Sequence, residues 1–509
     1  MAILRAHHKP PPIYRAHPTT TTRTRRVARR QQVISAAIVA WICILLVILC
    51  VKIADGSVAR WPRLSIKIYK PVEKRPPTEK ELDSTEKESR LLISKRNRMG
   101  VYNSINTERM GMDILNPTLL ELPLGSHHNF LVVARAYHVD ARINGTDYRR
   151  ARQVASFANL TFNHPQHPEI ITGNWSRLLV EDFLGPYHHC KHQPKMDKYI
   201  GPEDMKLFWT RRAEPLLVFT HQTPDENLCE GMFMVDVRAI VPELDKVLDH
   251  HADRLPPVRF KEPVALRRQP PEGHESDPRY QREKNWAPVQ SPLSHDDQEL
   301  MFMVEPSHLF RWNTTGQPVE EIPTQNETAV EAPYPPNAAE TWHSDEQTCL
   351  HDVMMSNKHV HQSTPMVSLT LCDRGRCEPD ANNTILMGMV QRRYDPPGVY
   401  SFTWYERRIV VYSATPPYNM MSVSKILSYH GEMDNKYIWT GSMVYWANST
   451  RIPYDRNHGY LDDEIWLSFG IADKSPGWID VSAKELIKDH YFCQNASQGY
   501  RDAVAHNVR

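Results

Sequence analysis

Val367-Ser-Leu-Thr-Leu371, Ile385-Leu-Met-Gly-Met-Val390, Tyr400-Ser-Phe-Thr-Trp-Tyr405 and Ile409-Val-Val-Tyr-Ser413 follow one another in quick succession. Each is short, rich in β-branched and aromatic residues, and bounded by Asp, Asn, Pro or Gly. That combination marks strands joined by turns. The same texture runs outward in both directions. It predicts strands at Phe130–Ala136, Leu216–Thr220, Met232–Ala239, Leu300–Val304, Ile438–Trp446 and Ile465–Ile471. Helix signals are few. Ser482-Ala-Lys-Glu485 reads as a capping box opening a short helix to about His490, and Tyr148–Phe157 is a weaker helix candidate. Many short strands with few helices leave three all-β architectures: sandwich, barrel or propeller. The stretch 106–509 is large for one sandwich and comfortable for a propeller with long loops. The proline-rich stretches near 256–288 and 317–339 read as surface excursions. No repeated blade motif is visible in the sequence alone.

N-terminal to this region the chemistry changes. Val33 to Val51 is an uncharged run of 19 residues, long enough as a helix to cross a hydrocarbon core of roughly 30 Å. Residues 1–32 contain no Asp or Glu and carry Arg23, Arg25, Arg26, Arg29 and Arg30. The expected layout is a basic cytoplasmic tail at 1–32, an uncleaved signal anchor at 33–53, a charged, proline-rich stem at 54–105 and a lumenal domain at 106–509. Asn144, Asn159, Asn174, Asn313, Asn326, Asn382, Asn448 and Asn495 head Asn-x-Ser/Thr sequons, all C-terminal to the apolar run. Cys190, Cys229, Cys349, Cys372, Cys377 and Cys493 lie on that side too, an even set suited to disulfides. Six cysteines allow 15 pairings, and spacing does not choose among them.

Acidic and basic residues balance, 60 against 61, so bulk charge gives no reason to expect nucleic-acid binding. Four segments carry chemistry. In Gly201-Pro-Glu-Asp-Met-Lys206 two adjacent carboxylates lead into an apolar strand. Neighbours on a strand face opposite ways, so Glu203 and Asp204 are expected to do different jobs, one facing a cavity and one bracing the loop. A carboxylate is the usual acid or base of glycosyl chemistry, although an acidic turn before a strand is the commoner arrangement. In Glu283-Lys-Asn-Trp286, Lys284 and Asn285 could hold an anion or sugar with the Trp286 ring as platform, or Trp286 could be core. Asp462-Asp-Glu464 could ligate a metal but reads better as a hairpin tip. His188-His-Cys-Lys-His192 lacks the four spaced ligands of structural zinc, so Cys190 reads as half a disulfide and no metal is expected. There is no phosphate-binding Gly-x-x-x-x-Gly-Lys-Ser/Thr loop, no Gly-x-Ser-x-Gly elbow and no Asp-x-Asp triplet.

Taken in chain order, several of these segments resemble the five-bladed β-propeller family of β-mannoside phosphorylases and hydrolases and its eukaryotic glycosyltransferase-like relatives. Asn116-Pro-Thr-Leu119 with Phe130-Leu-Val-Val-Ala-Arg135 is similar to the opening blade, and Gly201-Pro-Glu-Asp-Met-Lys206 to the family's Glu-Asp-Pro-Arg motif. Glu283-Lys-Asn-Trp286, Ser363-Thr-Pro365, Met387-Gly-Met389, Tyr400-Ser-Phe-Thr-Trp404, Pro416-Pro-Tyr418 and Leu467-Ser-Phe-Gly-Ile-Ala-Asp473 continue the likeness over about 112–490. The resemblance implies a five-bladed propeller with Asp204 as the catalytic acid or base. It implies Glu203, Lys206, Arg135, Lys284, Asn285, Trp286 and Asp473 as substrate contacts. Met205 and Lys206 stand where the family has Pro and Arg, and Lys does not reproduce a bidentate guanidinium. The expected function is a single-pass type II glycosyltransferase of the Golgi or another secretory-pathway membrane, moving mannose from a nucleotide sugar to a glycan with inversion and without a cofactor. A mannoside phosphorylase or hydrolase, or a non-catalytic glycan-binding glycoprotein, is the alternative.

Overall fold

The computed structural model describes residues 89–107, 113–143, 145–164, 166–181, 198–223, 229–268, 282–305, 308–312, 320–321, 349–350, 360–394, 404–433, 436–446 and 457–508. All fall within one compact unit, Glu79–Arg509. The expected tail, membrane anchor and stem up to residue 88 lie outside the described residues, as do Cys190, the His188–His192 cluster and the sequons at Asn144, Asn313, Asn326 and Asn448. Among the described residues no helix is long and apolar enough to cross a membrane.

The architecture is all-β and propeller-like, a succession of antiparallel meanders. Two N-terminal strands come first, β1 (Ser89–Leu92) and β2 (Asn103–Asn106). The first meander is β3 (Ile114–Glu121), β4 (Phe130–Ile143), β5 (Thr146–Thr161) and β6 (Glu169–Thr172). The second is β7 (Glu203–Trp209), β8 (Pro215–Gln222), β9 (Glu230–Asp236) and β10 (Val264–Leu266). The third is β11 (Ala287–Val289), β12 (Leu300–Glu305), β13 (His308–Trp312) and β14 (Glu320–Glu321). The fourth is β15 (Val367–Thr370), β16 (Thr384–Tyr394), β17 (Trp404–Ser413) and β18 (Met420–Ser424). After β19 (Ile426–Tyr429), the last comprises β20 (Ile438–Trp446), β21 (Glu464–Ile471) and β22 (Ser475–Ser482).

The last meander has three strands of its own, and β2 supplies the fourth. Asn103 and Ser104 pair with β22 antiparallel, and Ile105 and Asn106 pair with β6 in parallel. One N-terminal strand therefore stitches the last sheet to the first and covers edges that would otherwise be left open. β1 adds to β19 in parallel. The cores lie between sheets. Trp466 stacks between Trp446 (4.8 Å) and Trp478 (4.2 Å), and Leu207, Leu217 and Phe219 of the second sheet pack with Leu131 and Val133 of the first.

Several local expectations change. The domain begins before residue 106, because β1 and β2 are paired into it. Tyr148–Phe157 is strand, not helix, because it pairs along its length with β4. The run Met232–Ala239 splits at Asp236, whose side chain accepts from the Arg238 amide and caps a short helix, α1 (Val237–Ile240). Tyr400–Tyr405 and Ile409–Ser413 are not two strands. β17 runs unbroken from Trp404 to Ser413, and 400–403 lie outside the described residues. The capping box forms, Ser482 accepting from the Glu485 amide to open α2 (Ala483–Ile487), but the helix stops short of His490, which begins a strand (His490–Phe492). Cysteines pair as Cys349–Cys493 and Cys372–Cys377. Asn174, Asn382 and Asn495 are exposed, whereas Asn159 is half-buried and hydrogen-bonded to the Asn129 amide and His128.

Candidate active site

The first strands of the first, second and last meanders carry the centre of the site, and its geometry comes from irregularities in those strands. On β7, Lys206 pairs with Val218 and Glu203 with Thr220, so Asp204 and Met205 together oppose Phe219 alone. This is a β-bulge, and it re-aims the side chains it contains. Asp204 sits there with φ 52°, in the left-handed region that a non-glycine residue seldom adopts. β3 repeats the device. Leu115 pairs with Arg135 and Thr118 with Val133, leaving Asn116 (φ 49°) and Pro117 against Ala134. On β20 the ladder shifts at Gly441, between Thr440 and Ser442.

Asn116, Asp204 and Gly441 line one shallow pocket, together with Arg135, Gln153, Met205, Lys206, Ser363 and Trp439. Its floor is braced. Gln153 Nε2 donates to the Pro202 carbonyl (2.8 Å), fixing the turn before Asp204. The Leu207 amide donates to Thr118 Oγ1 (3.1 Å), tying β7 to β3.

Glu203 does not line this pocket. It lies in an ion-pair chain, 3.5 Å from Arg135 Nη2 and 3.4 Å from Lys284 Nζ. Lys284 also lies 3.6 Å from Glu230, which is held by Arg282 at 2.7 Å. Burial alone would lower the Lys284 ammonium. Asp204, Glu230 and Glu203 together hold it above the ordinary lysine value, against Arg282. Lys206 is nearly sealed, 2 % exposed. Burial pushes it down to about 8, with the Asp204 charge pulling the other way. Asp204 thus shares the pocket with two cations, Lys206 and Arg135, and has a third, Lys284, within electrostatic reach.

Three sequence candidates land elsewhere. Trp286 is not a sugar platform. It is fully buried, its indole N–H donates to Glu283 Oε2 (3.0 Å), and its ring stacks near Phe310 (6.2 Å). Glu283 is in turn held by Arg268 at 2.7 Å. Asn285, φ 62°, is buried, and its amide oxygen has no hydrogen-bond partner among the described residues. Asp473 sits on the exposed turn after β21 and accepts from Tyr437 Oη (2.7 Å). The acidic run is not a hairpin tip but a turn leading into β21, of which Glu464 is the first residue: Asp462 and Asp463 engage Arg374, and Glu464 engages Arg96. No group of residues able to hold a metal ion occurs among the described residues. Gln153, Trp439 and Gly441 were invisible as site residues in the sequence. The one available hint was an indole and a glycine near the start of an otherwise apolar strand, Ile438-Trp-Thr-Gly441.

No protein-family model and no curated protein matches the chain. Solved structures do. A glycosyl hydrolase from Bacteroides ovatus aligns at 10% identity and TM-score 0.37, over 77% of this chain and 94% of that one. A mannose phosphorylase from Leishmania mexicana aligns at 10% identity and TM-score 0.31, over 79% and 92%. A GDP-Man-dependent mannosyltransferase from the same organism aligns at 9% identity and TM-score 0.34, over 76% and 91%. Likeness at these scores carries no argument about the chemistry of this chain.

Proposed function

We propose that this chain is a membrane-anchored glycosyltransferase of the secretory pathway, that its meanders are the five blades of a propeller, and that the pocket around Asp204 is where a sugar changes partners. The observation that carries the reading is Asp204 itself. It is held in a costly left-handed conformation at a bulge, lining a pocket together with Lys206 and Arg135. Strain of this kind, of order 1–3 kcal/mol, persists only where the surroundings enforce it, and it concentrates at functional sites.

The chemistry follows from the charges. The Asp204 carboxylate takes the proton of an acceptor hydroxyl as that oxygen bonds to the anomeric carbon. The bond from that carbon to the departing phosphate oxygen breaks on the opposite face, which inverts the configuration. Negative charge gathers on the leaving diphosphate, where Lys206 and Arg135 line the pocket and Lys284 lies behind it, Arg135 and Lys284 already paired with Glu203. The resemblance read in the sequence names mannose as the sugar. The same cations would suit inorganic phosphate, so a mannoside phosphorylase is the alternative on this geometry.

The test is to incubate the full chain in detergent with nucleotide sugars and manno-oligosaccharide acceptors, with and without phosphate. Transfer to an acceptor supports the proposal. Phosphate-dependent release of mannose 1-phosphate without transfer assigns the alternative, and neither product in any combination contradicts both.

A further inference from the structure

The pocket is electrically lopsided. Arg135, Asp204 and Lys206, from the first two sheets, make one wall charged, whereas Ser363, Trp439 and Gly441, from the last two, contribute no charge. Trp439 anchors the neutral wall. It is half-buried, between the buried Ile438 and Thr440. Its flanks are clipped by one fully buried amide: Gln391 Nε2 donates to the Ile438 carbonyl (3.1 Å) and Gln391 Oε1 accepts from the Thr440 amide (2.7 Å). The backbone beneath the indole is therefore fixed, and the half-buried ring lines the pocket. Tyr405 meets this ring edge-on at 5.2 Å and His361 at 6.3 Å, and Tyr437 packs on Tyr405 at 6.0 Å. Gly441 carries no side chain beside it, and a Cβ built there would meet nothing nearer than 3.8 Å.

A rigidly held, half-wet indole next to a deliberately empty position suits a flat, neutral, partly apolar ligand. The C–H face of a pyranose ring is one: its hydrogens are weakly positive and the indole face is weakly negative. We infer that Trp439, flanked by Tyr405 and His361, is the stacking platform for the acceptor sugar, and that Gly441 is kept bare to admit that ring. This deepens the proposed function and rests on it. The charged wall takes the anionic donor, and the aromatic wall takes the neutral acceptor.

The test separates the two walls by measuring binding calorimetrically to the full chain carrying Asp204→Asn, so that turnover does not interfere. The probes are manno-oligosaccharides of two to four residues, with GDP and UDP as donor-side controls. Trp439→Ala should weaken oligosaccharide binding at least about tenfold, Trp439→Phe should restore most of it, and nucleotide binding should stay within about twofold. Gly441→Val should weaken oligosaccharide binding with no change to the indole, which keeps the test decisive if Trp439→Ala misfolds. Oligosaccharide affinity unchanged in a folded Trp439→Ala or Gly441→Val chain overturns the platform. If transfer by the otherwise unaltered enzyme persists in that case, the proposed function stands without it. If Asp204→Asn proves as active as the unaltered chain but Trp439→Ala still loses oligosaccharide, the platform stands and the catalytic reading falls.

Discussion

At Lys206 two forces oppose each other. Burial disfavours the ammonium, and Asp204 favours it, leaving the group near 8 rather than at the ordinary lysine value. A folded-state value below the unfolded one means that the unfolded chain binds more protons between about 8 and 10.5. The penalty is thus fully present below about pH 8 and is relieved as pH rises toward 10.5. At neutral pH it is on the order of 3 kcal/mol. Lys206→Met should therefore raise the urea midpoint at pH 7, by an amount that shrinks steadily as pH climbs from 8 to 10. A difference independent of pH would contradict this account. Trp286 makes the complementary case. Being core, Trp286→Ala should cost about 3–5 kcal/mol of stability, measured by urea unfolding. A ligand platform would instead show lost affinity at nearly unchanged stability. The sequence could not separate these outcomes, because Trp beside Lys and Asn reads the same in either role. What decides is Glu283, three residues away, turned inward to accept the indole proton.

At the scale of the strand, the site depends on bulges. Legibility was uneven here. The strands showed in the sequence because β-branched and aromatic runs between turn residues are a local signal. A bulge inserts one residue into a two-residue period and leaves nearly the same composition, so the re-aiming of Asp204 and Asn116 could not be read from spacing. The failure at Tyr148–Phe157 has a related cause. Arg149, Arg150 and Arg152 blur the alternation of β5, and only pairing with β4 identifies it as strand. The β3 bulge can be probed from its neighbour. A Cβ at Gly470 would lie 2.1 Å from Asn116 Oδ1 and 2.8 Å from the Asn116 amide nitrogen. The side chain could swing away, but the backbone could not. Gly470→Ala should therefore cost about 1–3 kcal/mol in unfolding experiments and reduce turnover by displacing Asn116 from the pocket.

At the scale of the whole domain, closure is the organising fact. β2 joins the last sheet to the first, and Cys349–Cys493 ties residues 144 apart in sequence, whereas Cys372–Cys377 closes a separation of only 5. Loop-entropy arguments give the long bridge about 5 kcal/mol and the short one about 2. Replacing Cys349 and Cys493 with Ser should lower the thermal midpoint well beyond the same change at Cys372 and Cys377, and equal losses would contradict the ordering. Closure also explains why the site gathers residues so distant in sequence. Asn116, Asp204, Ser363 and Trp439 meet in one pocket although no local pattern links them. The most direct measurement is turnover by the full chain with and without Asp204→Asn, at matched stability and substrate saturation. The account predicts a fall of at least about a hundredfold with binding retained; turnover equal to that of the unaltered chain would contradict it.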